Sequence, residues 1–195
     1  REFTLTVAKA ALTITADDKT KEEGEENPNL TVSYSGFVNG DNASSLTTQP
    51  TAATTTSPAG TYPITASGAV SGNYEFTYVN GTLTVKHVYS LNITSQGNGA
   101  VTYDGTRVTN YQHFDVKEDH SVTLTFAANE GCELNQLTAN GRDVKSKVSN
   151  NAYVLGKLTG DMNIVATFSE VTGGFMVNNI HFSILSAPDK TVIVD

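Results

Sequence analysis

The chain has one cysteine, Cys132, and no tryptophan, and none of its apolar runs approaches the roughly 20 residues that a membrane-spanning helix needs. A single cysteine excludes an internal disulfide, so each folded module must be stabilised by its apolar core. Positive charge is also scarce, because 12 Lys and Arg residues stand against 20 Asp and Glu residues, for a formal net charge of −8. This balance argues against binding to nucleic acid or anionic lipid and is compatible with protein or sugar partners.

The common catalytic motifs are missing as well: there is no Gly-x-Ser-x-Gly, no His-Glu-x-x-His and no Gly-x-x-x-x-Gly-Lys. The four histidines are unpaired in sequence and are expected at the surface or in turns: His87, His113, His120 and His181. A nucleophilic Cys132 would need a basic partner, which His113 or His120 could supply in space, but a buried, passive thiol is the favoured interpretation. We therefore predict a protein that is not an enzyme, with no catalytic, cofactor-binding or metal-binding residues.

What the chain does have is alternation of apolar and polar residues with the two-residue period of half-buried strands. No helical period is sustained. Turn residues separate the alternating runs, and Asn80-Gly81 lies directly between two of them, which predicts a tight β-hairpin. Short strands at this spacing are typical of an all-β sandwich. The runs that carry the pattern are Leu12/Ile14, Leu30/Val32/Tyr34, Tyr62/Ile64, Tyr74/Phe76/Tyr78 and Leu83/Val85.

An internal repeat indicates the domain organisation. The sequence Thr-Leu-Thr-Val at residues 4–7 recurs at residues 82–85, a spacing of 82 − 4 = 78 positions. Such self-similarity is typical of proteins built from small units in series. We predict the closing strand of a preceding repeat at 1–8, β-modules at 9–86 and 87–171, and the start of a further module at 172–195. The predicted fold is all-β, with two tandem small β-sandwich or β-grasp-like modules in an elongated arrangement.

Strands in the second module are predicted at 90–94, 100–103, 121–127, 152–155 and 163–168. A strand is also favoured over a single helical turn at 133–139. After the glycine pair at 173–174 the pattern restarts, and the turn pair Asn178-Asn179 predicts a hairpin between 175–177 and 180–185.

Two groups of residues are candidates for binding. The acidic run at 22–26 could hold a hard cation, but its spacing matches no regular calcium loop, so a solvated loop that discourages edge pairing is favoured, as it is for Asp17-Asp18. Exposed aromatic rings are the usual means of gripping sugars. The aromatic residues least committed to a core are Tyr34, Phe37, Tyr103 and Tyr111, although packing in or at the rim of a core is favoured for them.

A pattern of strand and turn residues runs through the first module, in the segments 12–20, 27–28, 34–41, 60–64 and 73–85. On these residues the module resembles the MBG repeat of bacterial surface proteins. The repeat usually has an aromatic residue before its first glycine, where this chain has Glu23-Gly24.

The second module contains Gly97-Asn98-Gly99, Tyr153 and Gly160-Asp161 at characteristic positions. On these residues the span 89–171 is similar to the divergent internalin-type B-repeat. The family usually carries a tryptophan where this chain has Leu137, so an exposed aromatic grip is lost there. Residues 175–195 are similar to the opening of the BspA-like leucine-rich repeat region.

These resemblances imply an exported bacterial protein at the cell surface or outside the cell, and they transfer no catalytic or ligand-binding residues. We expect a non-catalytic adhesin-like segment that binds host protein or glycan and behaves as a monomer, with no cofactor, no nucleic acid and no insertion in a membrane. Two alternatives remain open: an inert stalk for a neighbouring leucine-rich repeat region, and accessory domains of a polysaccharide-active enzyme.

Overall fold

The computed structural model describes residues 7–55, 58–171, 174–177 and 180–183 and divides the chain into two compact units, with the division between Val88 and Tyr89. Strands dominate both units, which confirms the predicted all-β class. The helical residues in the described ranges are two single 3-10 turns, Ala43–Ser45 and Lys145–Lys147. No helix in these ranges has the length and apolar character required to cross a membrane.

Unit 1 is built from two sheets, whose strand orders are β3-β1-β6 and β2-β7-β5-β4. Its strands are β1 (Ala10–Ala16), β2 (Lys19–Glu22), β3 (Val32–Ser35), β4 (Thr51–Ala53), β5 (Gly60–Ser67), β6 (Tyr74–Val79) and β7 (Gly81–Lys86). The inward side chains of both sheets form one apolar core, because alternate residues of each strand point to the same face. Its fully buried members include Leu12, Ile14, Ile64 and Leu83.

A bent parallel ribbon connects the two sheets of unit 1. Strands β1 and β6 pair in parallel with Ala10 opposite Tyr74, and β2 and β7 pair in parallel with Lys19 opposite Leu83. Both pairings have the same sequence offset, so the two chain segments pass from one sheet to the other side by side. At the crossing, the Thr82 amide donates a hydrogen bond of 2.7 Å to the Asp18 carboxylate, which maintains this register.

The hairpin prediction at Asn80-Gly81 is wrong. Strands β6 and β7 flank this dipeptide but belong to different sheets, and each pairs with a partner 64 residues earlier in the chain. Gly81 is needed at the crossing for a different reason, since a Cβ atom there would collide with the backbone carbonyl of Ala16. Tertiary pairing therefore overrides the strongest local turn signal in the sequence.

Unit 2 also has two sheets, of order β10-β9-β12-β15 and β11-β8-β16-β13-β14. Its strands are β8 (Val88–Gly97), β9 (Gly99–Tyr103), β10 (Thr106–Val108), β11 (Tyr111–Lys117), β12 (Ser121–Ala128), β13 (Cys132–Ala139), β14 (Arg142–Asp143), β15 (Ala152–Lys157) and β16 (Met162–Glu170). The core between them includes Leu91, Ile93, Leu124, Leu137 and Ile164, all with no measurable exposure. Leu137 is a fully buried core residue, so the expected loss of an exposed aromatic contact at this position is wrong.

The parallel pair of unit 2 is β8 with β16, in a register that runs from Leu91 opposite Met162 to Gly97 opposite Phe168. After Gly97 the chain passes from β8 into β9, which belongs to the other sheet, whereas β16 stays in the five-stranded sheet. The turn is tight, because Gly97 has a φ of 80° and a Cβ atom at Gly97 or Gly99 would collide with Phe168. Glycine at both positions thus permits the change of sheet.

All six strands predicted in the second module are present, including the strand at 133–139. Three further strands, β10, β11 and β14, were not predicted. Two of them follow two-residue turns in the left-handed conformation, Asp104-Gly105 before β10 and Asn140-Gly141 before β14. These are true hairpins of the kind that such dipeptides favour.

At the C-terminal end, β17 (Gly174–Val177) and β18 (Ile180–Ser183) pair antiparallel, as predicted for the segment after the glycine pair. Residues 1–6, 172–173, 178–179 and 184–195 lie outside the described residues, as do 56–57. The predicted closing strand of a preceding repeat therefore falls almost entirely outside the described residues, and so does most of the predicted leucine-rich repeat cap.

Candidate functional site

Of the four aromatic residues singled out from sequence, three pack in or beside a core. Tyr34 and Phe37 line the rim of the unit 1 core, with ring centroids 5.3 Å apart. Tyr103 is buried in unit 2 and meets the Phe114 ring edge-on. Burial, together with the charge of the neighbouring Asp104, raises the pKa of Tyr103. The favoured core interpretation is correct for these three residues.

Tyr111 is the exception, with 58% of its surface exposed. It opens β11, an edge strand of the five-stranded sheet, and its hydroxyl donates a 2.9 Å hydrogen bond to the Asn92 Oδ1 on the adjacent strand β8. The ring is thus anchored at its polar end while its apolar body is in contact with solvent. Because the ring is exposed and its hydroxyl is held, it is the candidate for a binding contact among these four residues.

Alternation along the strands builds the surroundings of this ring. Leu91 and Ile93 are buried, so Asn92 between them points outward. On β16 the buried Ile164 places Asn163 on the same outer face, directly opposite Asn92 in the parallel register. We call this outer surface the Asn92 face and define it by Asn92, Tyr111, His113, Asp115 and Asn163.

Asn92 is the centre of the hydrogen-bond network on the Asn92 face. Its Oδ1 accepts from the Tyr111 hydroxyl and lies 3.0 Å from the His113 Nδ1. Its Nδ2 donates to the Asn163 Oδ1 at 3.0 Å. The side chain therefore joins three neighbouring strands, β11, β8 and β16, and holds their outward groups in fixed positions.

The His113 ring lies between two oxygen atoms. Its Nδ1 faces the Asn92 Oδ1, and its Nε2 lies 3.1 Å from the Asp115 Oδ1. The protonated imidazolium donates to both oxygens, whereas either neutral tautomer donates to only one of them. The His113 ring thus links Asn92 on β8 to Asp115 on its own strand, and the Asn92 face is a polar surface organised by hydrogen bonds.

The acidic run at 22–26 is exposed at residues 24–26, as the predicted solvated loop requires, and it also makes contacts within unit 1. The loop folds around Lys21, whose side chain is only 7% exposed and whose Nζ donates to the Glu25 carbonyl at 2.8 Å. Glu23 lies 3.5 Å from the His87 ring. Within the described residues no group of three or more His, Cys, Asp or Glu side chains is arranged to hold a metal ion. The loop is therefore a structural element of unit 1.

Asp18 is exposed and Asp17 is partly exposed, in keeping with the sequence interpretation, but both carboxylates also accept hydrogen bonds within unit 1. The Asp17 carboxylate accepts hydrogen bonds from the hydroxyls of Ser33 and Thr31, the latter at 2.6 Å. The pKa of Asp17 is lowered mainly by the hydrogen bond from Ser33 and next by the one from Thr31, with a small contribution from the charge of Lys19. Burial acts in the opposite direction and raises this pKa. Together with the Asp18 contact at the sheet crossing, this fixes β3 and the bent ribbon.

Cys132 is a free, half-buried thiol at the start of β13. His113 is on β11, three strands away in the same sheet, which is about 14 Å or more at ordinary strand spacing. His120 precedes β12 at the end remote from Cys132, roughly 24 Å along the strand. Neither histidine is placed to activate the thiol.

The sequence analysis selected Tyr111 and His113 but did not place them together, and it missed Asn92, Asp115 and Asn163. A signal was available for part of this set, because Tyr111, His113 and Asp115 alternate as outward residues of one strand. Asn92 could not have been connected to them by pattern, since the sequence does not say which strand lies beside β11.

Comparison with known proteins gives one match. No curated protein and no solved structure matches the chain significantly. Residues 12–84 match the sequence profile of the MBG domain (YGX type), a β-rich, non-catalytic family of extracellular type. The match supports the MBG part of the resemblance, whereas the internalin-type and leucine-rich repeat parts stay predictions. Within this chain, the segment from Leu12 to Thr84, which includes part or all of every strand of unit 1, is similar to the MBG domain.

Proposed function

We propose that this chain is a non-catalytic segment of a bacterial cell-surface adhesin-like protein that contributes to binding of host protein or glycan. The observation that carries the proposal is the MBG match over residues 12–84, because that family is extracellular in type and has no catalytic role. We further propose that the chain acts as a monomer outside the cell and takes no cofactor.

The chemistry of the described residues supports this proposal. The one thiol is distant from His113 and His120, and the most organised polar cluster, the Asn92 face, consists of amide, phenol, imidazole and carboxylate groups on a sheet surface. Such a surface offers fixed hydrogen-bond donors and acceptors around an aromatic ring. That arrangement is suited to recognition, which needs positioned contacts on an accessible surface.

Binding assays on the full chain test the proposal. The purified chain is applied to a glycan array and to immobilised extracellular matrix proteins, with a heat-unfolded sample as the control. We expect saturable binding to at least one class of surface that the unfolded sample does not show. Blank results on both surfaces would contradict a binding role for this segment.

A second candidate function is an inert stalk, favoured by the 78-residue spacing of the repeated Thr-Leu-Thr-Val sequence. Modules strung in series are suited to holding a distant binding region away from the cell. Small-angle X-ray scattering distinguishes this candidate, since a stalk requires a rod of fixed length in solution. A compact or highly variable particle would contradict it.

A further inference from the structure

We propose that the Asn92 face of unit 2 binds a neutral oligosaccharide, with the Tyr111 ring as the stacking platform. The inference rests on the proposed binding function and names the site and the chemical class of the ligand. It is carried by an exposed, anchored aromatic ring beside a fixed set of amide and carboxylate groups.

The first argument is the state of Tyr111. Its ring is 58% exposed, yet its hydroxyl is held by Asn92, so part of the entropy that an exposed side chain loses on binding is already lost in the free protein. One face of a pyranose is lined with C–H groups and packs on an aromatic ring through apolar contact. Because β11 is at the edge of its sheet, a ligand can approach the ring from the side as well as from above.

The second argument is the capacity for hydrogen bonds around the ring. Asn92 uses one Nδ2 hydrogen on Asn163 and has a second one, and the Asn163 amide nitrogen adds two more donors. Asp115 uses Oδ1 for His113 and has Oδ2 as an acceptor. Sugar hydroxyls both donate and accept, so a surface that offers amide donors beside the ring and a carboxylate acceptor further along the same strand matches them.

The third argument is charge, which selects among glycans. Asp115 is beside His113 within the cluster, and the whole chain has a formal net charge of −8. Sialylated or sulfated sugars would therefore be repelled at long range, whereas neutral sugars would not. A protein partner is less suitable, because the core of a protein interface is apolar and the Asn92 face is polar apart from the Tyr111 ring.

The test uses the full chain and neutral oligomers of glucose, mannose, xylose and N-acetylglucosamine, with sialylated and sulfated oligosaccharides and matrix proteins in parallel. Binding is followed by NMR titration, in which the ring signals of Tyr111 and His113 should shift on addition of a neutral oligomer. Tyr111→Ala should weaken that binding about tenfold or more, as truncation of a central aromatic anchor does.

Further variants separate stacking from folding. Tyr111→Phe keeps the ring but loses the anchoring bond, and Asn163→Ala removes an amide donor, so each should weaken binding about two- to tenfold. Tyr78→Ala is the matched control, because Tyr78 is an exposed tyrosine of unit 1, and it should leave the affinity unchanged. The unchanged NMR spectrum of the core residues verifies the fold of each variant.

The proposal is overturned if no neutral oligosaccharide binds, if acidic sugars bind better, or if Tyr111→Ala binds as the unmodified chain does. Binding to a matrix protein without any glycan binding would overturn this site assignment while leaving the proposed adhesin function intact. Absence of both kinds of binding would contradict both proposals.

Discussion

Units 1 and 2 begin alike and then differ in how the chain changes sheets. In each unit the first strand pairs in parallel with a strand from near the end of the unit, β1 with β6 and β8 with β16. In unit 1 both partners cross to the second sheet together and pair again as β2 and β7. In unit 2 only β8 crosses, whereas β16 remains in its sheet to its last residue.

The difference teaches what a glycine does at such a crossing. In unit 1, Gly81 has no left-handed backbone and is required only because the Ala16 carbonyl is close. In unit 2, Gly97 is required twice, since its φ is 80° and Phe168 is close. The crossing in unit 1, made by two paired segments, has no glycine with positive φ, whereas the crossing in unit 2, made by β8 alone, has one at Gly97.

Substitutions in the two apolar cores should have the largest effects on stability and so test the comparison of the units most strongly. Of the described residues, nine buried apolar side chains form the core of unit 1 and sixteen form that of unit 2. Ile14 and Ile93 are buried at equivalent places on β1 and β8, the first strands of the two units. Replacement of either residue by alanine should lower the free energy of unfolding by about 2–5 kcal/mol. Unit 1, with the smaller core, should have less stability left after the change.

Hydrogen exchange read separately over 9–88 and 89–171 measures this effect. Each substitution should accelerate exchange in its own unit. The matched control is Val154→Ala, at a side chain that is 64% exposed, which should change stability by about 0.5 kcal/mol or less. Equal acceleration in both units by Ile14→Ala would show that the units do not unfold separately.

The crossing glycines give the next largest effect. Gly81→Ala should lower the free energy of unfolding by about 1–3 kcal/mol through collision with Ala16. Gly97→Ala should cost about 1 kcal/mol more, because alanine also disfavours the positive φ. Urea denaturation measures both values.

Gly72→Ala in unit 1 and Gly160→Ala in unit 2 are the controls, since a Cβ atom at either position meets open space. They should be nearly neutral. If Gly81→Ala proved as harmless as Gly72→Ala, the close approach at the crossing would not be a constraint on the fold.

The Asp17 cluster predicts that acid lowers the stability of unit 1. The folded-state pKa of Asp17 is lowered by Ser33 and Thr31, so its ionised form stabilises unit 1. This contribution is complete above the ordinary Asp pKa near 4 and is lost as the pH falls through the lower folded-state value. Hydrogen exchange or denaturation between neutral pH and about pH 3 should show the loss in unit 1.

Asp17→Asn removes the titratable carboxyl group at this position. Unit 1 of the variant should therefore lack the part of the acid destabilisation that comes from Asp17. The amide oxygen of the variant replaces the acceptor for one of the two hydroxyls, and the amide nitrogen faces the other hydroxyl and can donate to its oxygen, so the variant is a conservative one. If unit 1 of the Asp17→Asn variant lost as much stability over the same acid range, groups other than Asp17 would be responsible for the acid destabilisation.

The smallest expected effect is at the centre of the Asn92 face. Asn92→Ala removes the bonds to Tyr111, His113 and Asn163 at an exposed surface, where solvent replaces them, so stability should fall by about 1 kcal/mol or less. The mobility of the Tyr111 ring, measured by NMR relaxation, should nevertheless rise. Unchanged ring mobility would show that Asn92 does not anchor Tyr111.

Local signals in the sequence were sufficient for much of the fold. Alternation located most strands, and Asn140-Gly141 and Asp104-Gly105 form the left-handed hairpin turns that such dipeptides favour. The same signal failed at Asn80-Gly81, although nothing in the neighbouring residues distinguishes this dipeptide from the others. The family resemblance correctly indicated the MBG part of the chain.

The sequence by itself determined that this protein is made of strands with apolar inner faces, because side-chain alternation and turn conformation are properties of adjacent residues. Only the tertiary structure decided which strands are neighbours, because parallel pairs join residues 64 or 71 positions apart and leave no local trace. That choice turned Asn80-Gly81 into a crossing between sheets. It also brought Asn92, Tyr111 and Asn163 together on one face.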